Sequence, residues 1–182
     1  MENSASQEIV KANYKIIDNA IDDIAFATLK TTMMSVSFDW HFVKNIVSEE
    51  DKSQTGYFIH NFYTDYRPQS QYMKVIAPIL KMLKPQAILR IKGNLYTKGS
   101  EKDPIAHGFH KDFHYPHQAA IFYVNTNNGF TILEDGTKIE SIANRLLLFE
   151  GHKDHSSTDC TDTQCRINIG FNFFNSNFDK IK

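Results

Sequence analysis

Arg166–Phe174, RINIGFNFF, reads as a β-strand with two unlike faces. Side chains alternate across a strand, so Ile167, Ile169, Phe171 and Phe173 fall on one side and Arg166, Asn168, Gly170 and Asn172 on the other. The apolar side calls for an outer layer or helices to pack against. The polar side, with a small residue in its middle, suits the wall of a pocket. An arginine on such a face needs an anionic partner, because an unpaired buried charge is costly. A structural Asp or Glu would serve, and so would a ligand carboxylate gripped in a bidentate fork.

Upstream of this strand the pattern stays β. Ala87–Lys98, AILRIKGNLYTK, alternates, with Leu89, Ile91 and Gly93 on one side and Arg90, Lys92, Asn94 and Tyr96 on the other. That second side offers polar contacts to an anionic substrate or a polypeptide backbone, or else to solvent. A charged loop, Lys98–Pro104, follows. Ala119–Asn125 (AAIFYVN) is a further strand; Asn127-Asn128-Gly129 turns, Phe130–Leu133 returns, and Asp135-Gly136 signals a hairpin. Lys138–Ile142 and Arg145–Phe149 complete the run. Short strands with turn signals about every 8–12 residues imply a sandwich or barrel.

The first half is mixed. Asn13–Asn19 has strand character, Asp22 or Asp23 can cap a helix through Met33, and Ser37–Val43 and Thr55–Tyr63 read as strands about a polar loop, Val43–Gln54. From Pro68 to Leu83, Tyr72, Ile76, Ile79 and Leu83 share a helical face, with Pro78 expected to kink it. Residues 1–10 read as loose. The expectation is one domain over residues 1–182, mainly β with flanking helices (α+β): a support region over 1–85 and a β-sandwich or jelly-roll core over 86–175.

Inside Gly108–His117, GFHKDFHYPH, His110 and Asp112 stand two residues apart, so in an extended segment both can reach one ion. His155, 43 positions after Asp112, is a candidate third ligand, and Arg166 follows eleven positions later. Two His and one carboxylate on one face of an octahedral ion leave the opposite face open, as in non-haem iron(II) oxygenases. Tyr123, on an apolar strand, and Tyr96, at the end of the polar-faced strand, are placed to donate to the carboxylate Arg166 would hold, or to sit in the core.

His110-x-Asp112, His155 and Arg166 at this interval resemble the 2-oxoglutarate- and iron(II)-dependent dioxygenases, within them the prolyl-hydroxylase-like branch. The strand order over Leu89–Phe174 resembles that branch too, and the chain is similar to small stand-alone versions common in bacteriophage genomes. The resemblance implies a double-stranded β-helix (jelly roll). It implies iron held by His110, Asp112 and His155. It implies 2-oxoglutarate held through Arg166, with Tyr123, Tyr96, Thr131 and Asn168 lining or assisting its pocket. It further implies use of O2, ascorbate as an accessory reductant, and oxidation of a protein, peptide or small-molecule C–H with release of succinate and CO2.

Net charge is −1 with hydrophobic residues at 41%, which disfavours non-specific nucleic-acid or anionic-membrane partners and fits a globular chain. No apolar run reaches the roughly 20 residues of a membrane span, and MENSASQEIV lacks the features of a signal peptide. Cys160 and Cys165 match no redox or zinc spacing and read as free thiols, so a cytoplasmic setting is expected, a host's cytoplasm if the source is viral. Three rival readings stand beside the dioxygenase. One is structural zinc drawn from His107, His110, His114 and His117; separately, His152 could compete with His155 as the distal ligand, but the interval to Arg166 favours His155. Another is a nucleobase-acting dioxygenase, echoed by Arg166-x-Asn168. The third is a non-catalytic jelly-roll binding module using exposed aromatics such as Trp40 and Tyr115.

Overall fold

A computed structural model describes residues 6–44 and 57–175. The loop read over 43–54 therefore lies outside the described residues beyond Lys44. Numbered in chain order, the large sheet runs β1 (Gln7–Val10), β2 (Tyr14–Asp18), β10 (Arg145–Glu150), β7 (Gln118–Tyr123), β12 (Cys165–Phe174), β6 (Ala87–Thr97), β4 (Tyr57–Thr64) and β3 (His41–Val43). A two-residue β5 (Arg67–Pro68) pairs with β4. Facing the large sheet is a small one, β11 (His155–Ser157), β8 (Phe130–Leu133) and β9 (Lys138–Glu140). The named strands pair antiparallel throughout. The chain is thus a jelly roll with helices on one outer face, as expected.

Strand β12 explains the layering. Its apolar residues Ile167, Ile169 and Phe171 join Ile91 and Phe122 against α1 (Asp23–Met33), a 3-10 turn (Met73–Ile76) and α2 (Ala77–Leu83), whose Leu29, Met33, Ile76, Ile79 and Leu83 are buried. Full burial of each such side chain contributes about 1.5–3 kcal/mol. Gly93 breaks the apolar run of β6 because a Cβ there would lie 3.2 Å from the Met33 Cε and 3.4 Å from the Trp40 ring. Between the two sheets a second cluster forms from Ala119, Tyr123, Leu133, Ile139, Leu147 and Phe149. The opposite side of β12 is left to line a cavity.

Helix α1 begins as its sequence dictates: the Asp22 carboxylate accepts from the Ala25 N–H at 2.9 Å and Asp23 sits in the first turn. Elsewhere the local reading needs correction. Residues 7–10, read as loose, form β1 on the exposed edge of the sheet. Of Ser37–Val43 only His41–Val43 is strand; Phe38 turns into the core, and Trp40, half-buried, donates its Nε1–H to the Met33 carbonyl at 3.2 Å. Trp40 is therefore packing, not an exposed binding aromatic.

Pro68 opens no helix. Asp65 and Tyr66, both at positive φ (52° and 60°), turn β4 into β5, and Pro68 lies in that hairpin. Pro78 starts α2 instead of kinking it, because a proline's missing N–H is free of cost in a first turn. Strand β7 ends at Tyr123 because the Asn125 side chain replaces the ladder, accepting from Ile167 N and donating to Cys165 O, each at 2.8 Å. Strand β11 was not anticipated: three residues reading His-Ser-Ser carry no apolar alternation.

Candidate metal centre and its cavity

His110 and His155 are brought together by the backbone. His110 N donates to His155 O at 2.9 Å and His155 N to His110 O at 3.0 Å, an isolated bridge joining the two segments. Their rings lie 4.6 Å apart, and a ligand atom from each of His110, Asp112 and His155 falls within 4.8 Å of the others. His155 Nδ1 faces Lys153 O at 3.1 Å and His110 Nδ1 faces Gly108 O at 3.4 Å. Carbonyls at both Nδ1 positions select the tautomer that leaves Nε2 with a free lone pair. His155 Nε2 sits 3.7 Å from Asp112 Oδ2, the carboxylate that completes the set.

A polar ring fixes that carboxylate. Arg90 Nη2 donates to Asp112 Oδ1, Asn172 Nδ2 donates to Oδ2 at 2.8 Å, and Arg90 Nε donates to Asn172 Oδ1 at 3.3 Å. Asn172 Nδ2 also lies 3.2 Å from Nε2 of buried His117, whose Nδ1 faces the Tyr115 carbonyl at 2.9 Å. His117 is thus an inner support, not a residue of the cavity mouth, whereas His114 is exposed. Burial works to raise the Asp112 pKa, but Arg90, His155 and the Asn172 hydrogen bond outweigh it and hold the carboxyl at about 2. Burial, aided by His155, pulls His110 down to about 4. At neutral pH His110 is neutral and Asp112 ionised, the forms a divalent ion requires.

Further along the cavity lie Tyr96, Thr131, Ser157, Asn94 and Asn168, the last accepting from Asn94 Nδ2 at 2.9 Å. Arg166 stands just behind this wall, fully buried. Its Nε donates to Ser141 Oγ at 2.8 Å, Nη1 to Ser157 Oγ at 2.6 Å and Thr158 O at 3.3 Å, and Nη2 to Thr131 Oγ1 at 3.2 Å. The guanidinium lies 5.5 Å from the Tyr96 ring centre and 5.8 Å from that of Tyr123. Among the described residues it forms no ion pair; the Asp159 carboxylate acts on it only from beyond contact distance. Tyr123 is also behind the wall; its hydroxyl donates to Thr131 Oγ1 at 2.8 Å, so its influence on the cavity passes through Thr131.

Among the described residues, His110, Asp112 and His155 form the group able to hold a metal; His107, His114, His117 and His152 are outside it. Cys160 and Cys165 are free, Cys160 buried. Sequence reading missed Ser157, Ser141 and Asn172 as partners. Asn172 shares the polar face of β12 with Arg166, but its pairing opposite Arg90 depends on strand register.

No protein-family profile matches the chain, and no curated protein does. Solved structures match well. One is the 2OG-Fe(II) oxygenase family oxidoreductase from Burkholderia pseudomallei, with a TM-score of 0.68 and 12% identity over 90% of this chain and 86% of that one. Another is the viral collagen prolyl hydroxylase of Paramecium Bursaria Chlorella virus-1 in its 2OG complex, with a TM-score of 0.59 and 12% identity over 90% and 97%. A third is the non-heme alpha ketoglutarate dependent epimerase SnoN from nogalamycin biosynthesis, with a TM-score of 0.62 and 11% identity over 90% and 78%. At such identities the likeness is one of fold, and the fold is the double-stranded β-helix of 2-oxoglutarate- and iron(II)-dependent oxygenases, prolyl hydroxylases among them.

Proposed function

We propose that this chain is an iron(II)- and 2-oxoglutarate-dependent dioxygenase that hydroxylates a C–H bond of a protein, peptide or small molecule. One observation carries the reading: a two-His, one-carboxylate cluster opens into a cavity backed by a buried arginine that forms no ion pair among the described residues. His110, Asp112 and His155 fit iron(II) in ligand type and spacing. When bound, the iron supplies the oxidation: one O2 and one 2-oxoglutarate are consumed, the substrate C–H becomes C–OH, and succinate and CO2 leave.

The protein's residues bind and orient. Arg166 holds the distal carboxylate of 2-oxoglutarate once the Ser157 and Thr131 hydroxyls, which now take its N–H groups, make way or share the contact. Tyr123 keeps Thr131 oriented, and Tyr96 and Asn168 shape the wall. The Arg90–Asn172 ring keeps Asp112 ionised and its free lone pairs aimed at the centre. No helix among the described residues is long and apolar enough to cross a membrane.

The test is anaerobic. Purified protein loaded with iron(II) and 2-oxoglutarate should develop the weak visible band of a chelated 2-oxo acid, and admitting O2 should yield succinate by mass spectrometry. His110→Ala should lose iron, band and succinate together. Full turnover by that variant, or iron bound without any band, would remove the assignment.

A further inference from the structure

We propose that the cavity holds a second anion site, formed by Lys92 and Tyr57, that takes a carboxylate or phosphoryl group of the substrate to be oxidised. This rests on the dioxygenase reading and names the substrate class for the same cavity.

The cavity wall carries two cations, Arg90 and Lys92, and one carboxylate, Asp112. Arg90 and Asn172 already occupy both Asp112 oxygens. Lys92 is left over. Its Nζ reaches the Tyr57 hydroxyl at 3.3 Å and, among the described residues, forms no ion pair. Tyr57 is itself buried, and when its oxygen accepts from Lys92 its own O–H finds no acceptor among the described residues. An ammonium and a phenol therefore both present donors to one space, which is the complement of an anion. Burial, with Arg90 adding repulsion, pulls the Lys92 pKa to about 8, a cost that an anionic ligand would relieve.

The site borders the proposed cosubstrate pocket, since the Tyr57 ring stacks on Tyr96 at 5.4 Å, without sharing its arginine. Arg166 and Tyr123 lie on β12 and β7, whereas Lys92 on β6 leans away to Tyr57 on β4, at the other side of β6 from β12. Lys92 pairs opposite Asn61 of β4, and its side chain runs along the strand pair to reach the Tyr57 hydroxyl. Lys92 also lies opposite Gly170, where an added Cβ would meet only the Lys92 carbonyl oxygen, at 3.8 Å, so the floor there is open. Iron(II) and the 2-oxoglutarate dianion bring equal and opposite charges, so filling the proposed metal and cosubstrate sites leaves Lys92 uncompensated. A substrate anion docked on Lys92 and Tyr57 would place its neighbouring C–H groups beside the metal ligands.

The probes are methylphosphonate, propionate and the neutral propionamide, titrated by calorimetry into the anaerobic protein with and without iron(II) and 2-oxoglutarate. The wild type should bind at least one of the two anions and not propionamide. Lys92→Met should weaken that binding at least tenfold, and Tyr57→Phe by a smaller factor, both variants melting cooperatively. Lys92 should also resist acylation by an amine-directed reagent when the anion is present. Equal anion binding by wild type and Lys92→Met overturns the proposal, as does absence of anion binding in a wild type that still forms the 2-oxoglutarate band. A tenfold loss of 2-oxoglutarate affinity in Lys92→Met overturns it too, by assigning the residue to the cosubstrate. Absence of the band in a wild type whose metal-free form binds anions through Lys92 would instead count against the dioxygenase reading alone.

Discussion

Two buried arginines, Arg145 and Arg166, meet burial in opposite ways. Arg145 Nε and Nη2 grip Asp18 at 2.6 and 2.9 Å, and Nη1 adds the Glu140 carbonyl at 3.4 Å. Arg166, more deeply buried, makes four hydrogen bonds, drawn from three hydroxyls and a carbonyl. Hydrogen bonding satisfies the N–H groups; it does not neutralise the charge. Arg145 is a finished structural pair joining β2 to β10, whereas Arg166 forms no ion pair among the described residues, and on the proposed function it takes one from a ligand. The same residue type is a paired scaffold in one place and, on the proposed function, a receptor in the other.

Substitutions should pull the two apart. The largest effect belongs to Arg166→Ala, which should weaken 2-oxoglutarate binding by about 2–5 kcal/mol, as for truncating one partner of a buried charge pair. Titration of the anaerobic iron band measures it, and unchanged affinity would make Arg166 a second Arg145. Acid probes the anionic end of the cavity. His110 is held at about 4 against 6.5, so in metal-free protein the unfolded chain takes up a proton that the folded chain refuses. Stability should fall by up to about 3 kcal/mol between pH 6.5 and 4 from this residue. Asp112, held at about 2 against 3.8, has the usual carboxylate sign: its stabilisation persists above 3.8 and is lost only as pH falls towards 2. Urea midpoints from pH 7 to 4 read the first change, and a flat profile would remove it.

Smaller effects follow. Arg145→Ala should lower unfolding free energy by about 2 kcal/mol, less than for a fully buried pair because Asp18 is partly exposed, with 2-oxoglutarate affinity kept. A loss of cosubstrate binding at full stability would erase the contrast. Thr131→Val removes the acceptor shared by Tyr123 and Arg166 and should cost about 1 kcal/mol of cosubstrate affinity, measured by the same titration.

Much of this was readable before the chain folded, and for physical reasons. Alternation in β6 and β12 announced their two faces, because pleating depends on local geometry alone. Spacing marked His110, Asp112, His155 and Arg166, since the ligand types and their order are properties of the chain. Helix α1 was legible from its aspartates. What could not be read depends on register and long-range approach. That Asn172 lies opposite Arg90, and that both hold Asp112, requires β12 to pair with β6 in one frame. That Ser141 and Ser157, far apart in the chain, both receive Arg166 requires the small sheet to close over the large one. Whether Arg166 had a carboxylate partner turned on which side chains arrive in its neighbourhood, and no local pattern carries that. Local pattern dictated the strands, their faces and the candidate ligands; the packing of one sheet on the other selected which charges would be paired and which would be left for a ligand.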